Sequence, residues 1–204
     1  MILKSYIVEN NINSLNQYKC SLIYGENLGL KDSLKEKILA DAKNTEVINL
    51  YQEDFRINKD ILIDEIKNVS LFAKEKTIII NYANDKIVDD LEFFLKEESK
   101  IKIFLISELL EKKSKIRSLF EKEKNLAIVP CYNDNEITLK KIIFDELREY
   151  KNLNQNVVNM ILNFSNLNRS TLRSNLNKIK IFFEKKIISD QELEILLNSD
   201  KNEI

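Results

Sequence analysis

The sequence predicts an α/β fold, a mainly parallel sheet flanked by helices, followed by a small all-helical domain. Three observations lead there. Short β-type runs alternate with segments of helical period as far as residue 134, and beyond it only the helical period remains. Gly (2) and Pro (1) are too scarce for a turn-rich sandwich or barrel. Residues 1–134 are therefore assigned to the α/β domain and 135–204 to the helical one.

Residues 18–24 (YKCSLIY) form a β-type run that stops at Gly25. Over 28–42 the apolar positions Leu30, Leu34, Ile38 and Leu39 recur at helical spacing. A strand is predicted over 46–51 and a helix over 59–69, where Ile61, Ile63, Ile66 and Val69 carry the period. The run 76–82 (KTIIINY) has the composition of a strand buried on both faces. A helix over 87–96 leads to a fourth strand at 101–106, and a helix over 114–122 to a fifth at 126–130. This alternation implies right-handed βαβ units. After a polar joint at 132–135, the segments 136–150, 155–164, 170–184 and 191–198 each show i, i+3, i+4 spacing. Ser189 and Glu192 form a capping-box pair for the last helix.

Composition narrows the function. The 204 residues carry a net charge of −1, without the basic excess of a protein that grips duplex DNA by phosphate neutralisation. Histidine is absent, which removes the commonest general base, the Ser/His and Cys/His pairs and most transition-metal sites. Cys20 and Cys131 lie in apolar strand-like runs and read as buried, reduced thiols. Glu53-Asp54 reads as solvated rather than as a metal pair. The heavy use of Ile, Lys and Asn reads as base composition rather than chemistry. Residues 1–9 lack the apolar core of a signal peptide, and no stretch approaches the ~20 apolar residues of a membrane span. The expectation is a soluble cytoplasmic protein with no catalytic, metal or cofactor site and no membrane partner.

The turn after the first strand is where this architecture holds phosphate. That chemistry needs glycine backbone N–H groups aimed at the ligand, a Lys on the outer phosphates and a Ser or Thr for Mg²⁺. Here the turn reads Tyr24-Gly25-Glu26-Asn27-Leu28-Gly29-Leu30-Lys31-Asp32-Ser33. The second glycine comes one residue early, Leu30 takes the Lys place, and Glu26 adds negative charge where polyphosphate would lie. The strand that should end in adjacent carboxylates for Mg²⁺ is missing as well: Ala83-Asn84-Asp85 and Ser107-Glu108 match poorly. A functional triphosphate site is not expected.

Ser70-Leu71-Phe72 lies at the end of a predicted helix, before Lys74-Glu75-Lys76. Leu71 and Phe72 either close the local core or form a hydrophobic tip that enters a partner's pocket. Each such side chain contributes about 1.5–3 kcal/mol on burial.

Taken in order, these segments resemble the delta subunit of the bacterial DNA polymerase III clamp loader. Leu22-Ile23-Tyr24-Gly25-Glu26 with Leu30 looks like that family's first strand and vacant phosphate loop. Ser70-Leu71-Phe72 is similar to its clamp-inserting tip, and Lys113-Ser114-Lys115 through Val129-Pro130-Cys131-Tyr132 to its Ser-Lys helix and following strand. Asn166-Leu167 and Leu172 to Leu176-Asn177-Lys178-Ile179 resemble its lid. The resemblance implies an AAA+ fold, phosphate-loop NTPase-like, that has lost ATP binding. It implies a subunit of a DNA-directed DNA polymerase holoenzyme, not an enzyme by itself, that binds the sliding clamp (beta) through Ser70, Leu71 and Phe72. Such a subunit opens the clamp ring for loading on primed DNA. The implied partners are the clamp, delta-prime and the tau/gamma subunits, with DNA contacted indirectly or weakly.

Two departures stand out. Lys67 occupies the position where clamp-binding peptides carry Gln, and the sequence ends at Ile204, before the family's collar domain. A fragment is therefore expected.

Two other readings remain open. One is a degenerate phosphate-loop enzyme that still binds nucleotide through Lys31. The other is a nucleic-acid-binding module acting through 169–186, where Arg169, Arg173, Lys178 and Lys180 are candidate contacts to DNA or a neighbouring subunit.

Overall fold

Five runs rich in Ile, Leu and Val assemble the sheet. The computed structural model describes residues 1–42, 45–58, 60–68, 76–96 and 100–198. Strands β1 (Cys20–Tyr24), β2 (Glu46–Tyr51), β3 (Lys76–Asn81), β4 (Ile101–Ser107) and β5 (Leu126–Pro130) are parallel in the order β2-β3-β4-β1-β5. The expected parallel sheet is present. Every residue of β1 and β3 is buried, as strands covered on both faces require. The edge strand β2 instead exposes Asn49 and Tyr51. On the opposite edge Ile2 bridges Ile128, with Leu3 N–H donating to Ile128 O and Ile128 N–H to Met1 O, both at 2.9 Å. That short pairing covers an edge that would otherwise present free backbone groups.

Helices α1 (Ser5–Asn10), α2 (Leu28–Asp41), α3 (Asp54–Ile57), α4 (Ile61–Lys67), α5 (Val88–Lys96) and α6 (Lys115–Lys122) accompany the sheet. One sheet face, with Leu22, Ile78, Ile80, Ile103, Leu105 and Ile128, packs with Leu62, Ile66, Leu91, Phe94, Ile116 and Phe120 into one core. Neither α1 nor α3 follows from the hydrophobic period. Both are too short to stand without tertiary support.

The remaining helices are α7 (Glu136–Glu146), α8 (Gln155–Phe164), α9 (Arg169–Phe182) and α10 (Asp190–Asn198). Their core includes Leu139, Ile143, Val157, Ile161, Leu172, Leu176 and Leu193. Three of them open on an asparagine. Asn135, Asn154 and Asn168 accept from the N–H groups of Thr138 (2.8 Å), Val157 (3.0 Å) and Thr171 (3.0 Å). These asparagines therefore carry local structure that base composition alone conceals. A backbone bridge from Lys151 to Ile187 joins the α7–α8 and α9–α10 connections.

The chain divides into two compact units. One comprises Met1–Glu26 and Lys31–Tyr132, and the other Asn27–Leu30 and Asn133–Ile204. The segment Asn27–Leu30, at the start of α2, thus belongs with the helical unit.

Candidate functional site

Open parallel sheets bind ligands beyond the carboxyl ends of their strands. In the α/β unit, Gly25 follows β1 at φ +135°, and a Cβ there would stand 2.2 Å from the Cys131 carbonyl oxygen. Only glycine fits. The Cys131 N–H donates to Tyr24 O at 2.7 Å, and the Gly25 N–H donates to Glu108 O at 3.3 Å. A phosphate loop aims such N–H groups at its ligand. Here the group is bonded to protein.

Lys31 is 4% exposed, and its Nζ donates to Ser107 O at 2.9 Å. Burial holds the ammonium below the ordinary lysine pKa. One turn along α2, Lys35 Nζ donates to Asn81 Oδ1 at 2.7 Å, and Asn81 Nδ2 donates to Leu50 O at 2.9 Å. Asn81 closes β3 and Tyr82 follows it, so two neutral residues stand where an Mg²⁺-ordering carboxylate pair is needed. Asp85 lies further on and serves α6 instead: its Oδ1 accepts from Ser114 Oγ at 2.7 Å and from Ile116 N–H at 3.0 Å. Both lysines on this face of α2 therefore end on neutral oxygens, an arrangement suited to holding strand ends together rather than to phosphate chemistry.

The helical unit uses its share of the turn in the same spirit. Asn27 Oδ1 accepts the Leu30 N–H at 3.0 Å, and Asn27 Nδ2 donates to Asp134 Oδ2 at 2.7 Å. Asp134 Oδ1 lies 3.4 Å from Arg169 Nη1, with the two side chains 8% and 6% exposed. A Cβ on Gly29 would meet Ser170 N at 2.7 Å and Arg169 C at 2.9 Å. Gly29 is thus small because the start of α9 lies against it.

Of the residues singled out in the sequence, Ser70, Leu71 and Phe72 lie outside the described residues. Both flanks of that segment are described. Lys67 ends α4, and Lys76 begins β3. The buried Lys76 Nζ donates to Glu65 O (2.9 Å), Glu65 Oε2 (2.5 Å) and Asn68 O (3.2 Å). On α9, Arg169 is held by Asp134 and Lys180 pairs with Glu146. Arg173 and Lys178 are half-buried. Asp54 Oδ2 accepts the Tyr51 N–H at 2.7 Å and so closes a local turn. No group of three acidic or cysteine side chains among the described residues is placed to hold a metal ion.

One feature of the strand ends carried no sequence signal beyond its two tyrosines. Tyr51 and Tyr82 stack with ring centroids 6.2 Å apart, and Tyr82 sits at φ 57°, a strained value for a bulky residue. Tyr82 lines an open cavity of about 520 Å³ with Gln52, Phe55, Arg56, Lys86 and Asp90 among its walls.

No protein-family model matches the chain, and no curated protein does. Solved structures match it over nearly its whole length. The Bacillus subtilis DNA clamp loader delta protein is 13% identical with a TM-score of 0.60, the match covering 94% of this chain and 62% of that one. Domain III from the Thermotoga maritima replication initiation protein DnaA is 19% identical with a TM-score of 0.51, covering 95% and 88%. The Thermotoga maritima RuvB Holliday junction branch migration motor is 12% identical with a TM-score of 0.57, covering 97% and 67%. The fold is of the AAA+ type. At these identities the likeness concerns architecture alone, and the chain spans 62% of the length of the clamp loader delta protein.

Proposed function

We propose that the chain is the AAA+ and lid portion of a clamp-loader delta-type subunit, non-catalytic by itself, that binds a sliding clamp and opens its ring for loading on primed DNA. The observation that carries this reading is the internal use of the phosphate-loop groups. Gly25 N–H is bonded to Glu108 O, Lys31 to Ser107 O, and β3 ends in Asn81. A scaffold of this kind keeps the shape of its relatives without the groups that hydrolysis needs. The delta protein among its structural neighbours supports the assignment.

Ser70, Leu71 and Phe72 are the proposed wedge. In this reading delta-prime and the tau/gamma subunits supply the ATP-driven steps, and the protein works in the cytoplasm. The 1–134 and 135–204 division corresponds to the AAA+ domain and its lid. Contact of Arg173 or Lys178 with DNA or a neighbouring subunit is secondary, because Arg169 and Lys180 already hold carboxylates within the protein. Nucleotide binding through Lys31 is disfavoured by its bond to Ser107 O.

The test is affinity for the sliding clamp, measured by surface plasmon resonance with the wild type and the Leu71→Ala/Phe72→Ala variant. Two apolar side chains contribute about 3–6 kcal/mol, so the double variant is expected to bind about two to four decades more weakly with an unchanged circular dichroism spectrum. Normal affinity in that variant refutes the wedge. Calorimetric ATP binding abolished by Lys31→Ala refutes the non-catalytic reading.

A further inference from the structure

The cavity beyond the carboxyl ends of β2 and β3 lies wholly within the α/β unit, and none of its walls comes from the turn after β1. Its volume of about 520 Å³ suits a small-molecule site, where aromatic walls accompany a few fixed polar groups. Both kinds of wall are present. Phe55 packs against the core, and Tyr82, directly after β3, stacks on Tyr51 while its side chain stays 63% exposed. Tyr82 keeps that place at φ 57°, a conformation that persists only where the surroundings enforce it.

The polar groups have capacity left. Gln52 is nine-tenths buried, and its Oε1 accepts the Asn84 N–H at 3.1 Å. That bond fixes the amide, and Nε2 has no acceptor among the described residues. A buried donor left unpaired is costly, so a ligand acceptor would satisfy it. Asp90 has the opposite need. Burial raises its carboxyl above the ordinary value, and Asp89 and Asp60 add to the rise. A ligand donor would relieve that crowding. Arg56 and Lys86 are both exposed and make no ion pair among the described residues, which leaves two cations for an anionic group.

We propose that this cavity binds a nucleotide unit whose base carries an exocyclic amine beside a ring acceptor. The base stacks on Tyr82, Gln52 Nε2 donates to the ring acceptor, Asp90 accepts from the amine, and Arg56 and Lys86 hold the phosphate. Cytosine fits this pattern. Uracil reverses it, setting donor against donor and acceptor against acceptor. The unit comes either as a free mononucleotide or within a single strand, because a duplex hides both the base face and that edge. The proposal uses neither the segment at 70–72 nor Lys31, so its test and the clamp-binding test fail separately.

Titration calorimetry on the whole chain tests it, with deoxycytidine monophosphate, deoxyuridine monophosphate and short single strands of each base as probes. The cytosine nucleotide is expected to bind about tenfold more tightly than the uracil one, or better. Tyr82→Asn removes the ring and suits a left-handed backbone, and is expected to weaken binding at least about fivefold. Arg56→Met/Lys86→Met is expected to reduce the affinity for the nucleotide to that for deoxycytidine. Tighter binding per nucleotide by the cytosine strand would identify a single strand as the source, and equal binding a free nucleotide. No binding by either cytosine probe overturns the proposal. So does equal binding of the uracil probes, or an unchanged affinity in Tyr82→Asn. If Tyr82→Asn does not fold, the Arg56→Met/Lys86→Met variant decides, and an unchanged affinity there refutes the site.

Discussion

Lys31 and Lys76 are both buried lysines of the α/β unit, and their ammonium groups end in different company. Lys31 meets one neutral acceptor, Ser107 O at 2.9 Å. Lys76 meets the carbonyls of Glu65 and Asn68, the Glu65 carboxylate at 2.5 Å and the Glu46 carboxylate at 3.8 Å. The first joins α2 to the end of β4 where an active relative of this architecture would hold phosphate. The second ties the end of α4 to the start of β3, fixing the two flanks of the segment that contains Leu71 and Phe72. One buried cation closes the turn after β1, and the other frames the segment proposed for clamp contact.

That contrast breaks first if the turn after β1 has room to spare. Gly25→Ala would set a Cβ 2.2 Å from Cys131 O on a backbone at φ +135°. Neither the strand-end carbonyl nor the dihedral can relax cheaply, and a loss of about 3 kcal/mol or more is expected in urea unfolding. A loss below about 1 kcal/mol would show that the turn is loose, and the account of a closed phosphate loop would fall with it.

The two lysines themselves give the next largest effect. Lys76→Met leaves the Glu65 carboxylate and two helix-end carbonyls without their cation, and is expected to destabilise by about 1–3 kcal/mol. Lys31→Met removes a buried charge held by a single neutral oxygen. Its lost hydrogen bond and relieved desolvation largely cancel, leaving a change within about 1 kcal/mol. Equal effects in equilibrium unfolding would erase the distinction between the two.

How much of this was legible in the sequence depends on distance along the chain. The strands at 46–51 and 126–130 have the bounds read from their apolar runs, because composition and flanking polar residues act locally. The departure from the phosphate-loop pattern was legible for the same reason, from Glu26 and Leu30 in one turn. What replaces it was not. Lys31 and Ser107 are 76 residues apart, and Asn27 and Asp134 are 107 apart, so no local period announces either pair. The insertion of β4 between β1 and β3 is equally non-local. The helix expected over 136–150 stops at Glu146, where the Leu147 N–H still reaches Ile143 O but its backbone leaves the helical region. The asparagine caps were hidden differently: each is one residue in an Asn-rich sequence, and only its position before a helix gives it a role.

Asp85 offers the smallest effect and the finest resolution of how charge is used in the α/β unit. Unlike the two lysines it is exposed, and it acts on a helix start. Desolvation works against ionisation here, but the Ser114 hydroxyl and the Ile116 and Lys115 N–H groups outweigh it and hold the carboxyl below its ordinary pKa. A carboxyl with a lowered folded-state pKa stabilises the protein above its unfolded-state pKa of about 3.9, and that contribution disappears as the pH falls through the folded value. Asp85→Asn is therefore expected to cost about 0.5–1 kcal/mol at pH 7, the size of a helix-capping interaction. The gap from wild type should narrow below about pH 4 and close in stronger acid. Ser114→Ala removes the same hydrogen bond from the other side, so the double variant should lose less than the sum of the two. No gap at neutral pH would mean that hydrogen-bond geometry, which asparagine can reproduce, matters here and charge does not. Additive losses would mean that Asp85 and Ser114 hold α6 independently.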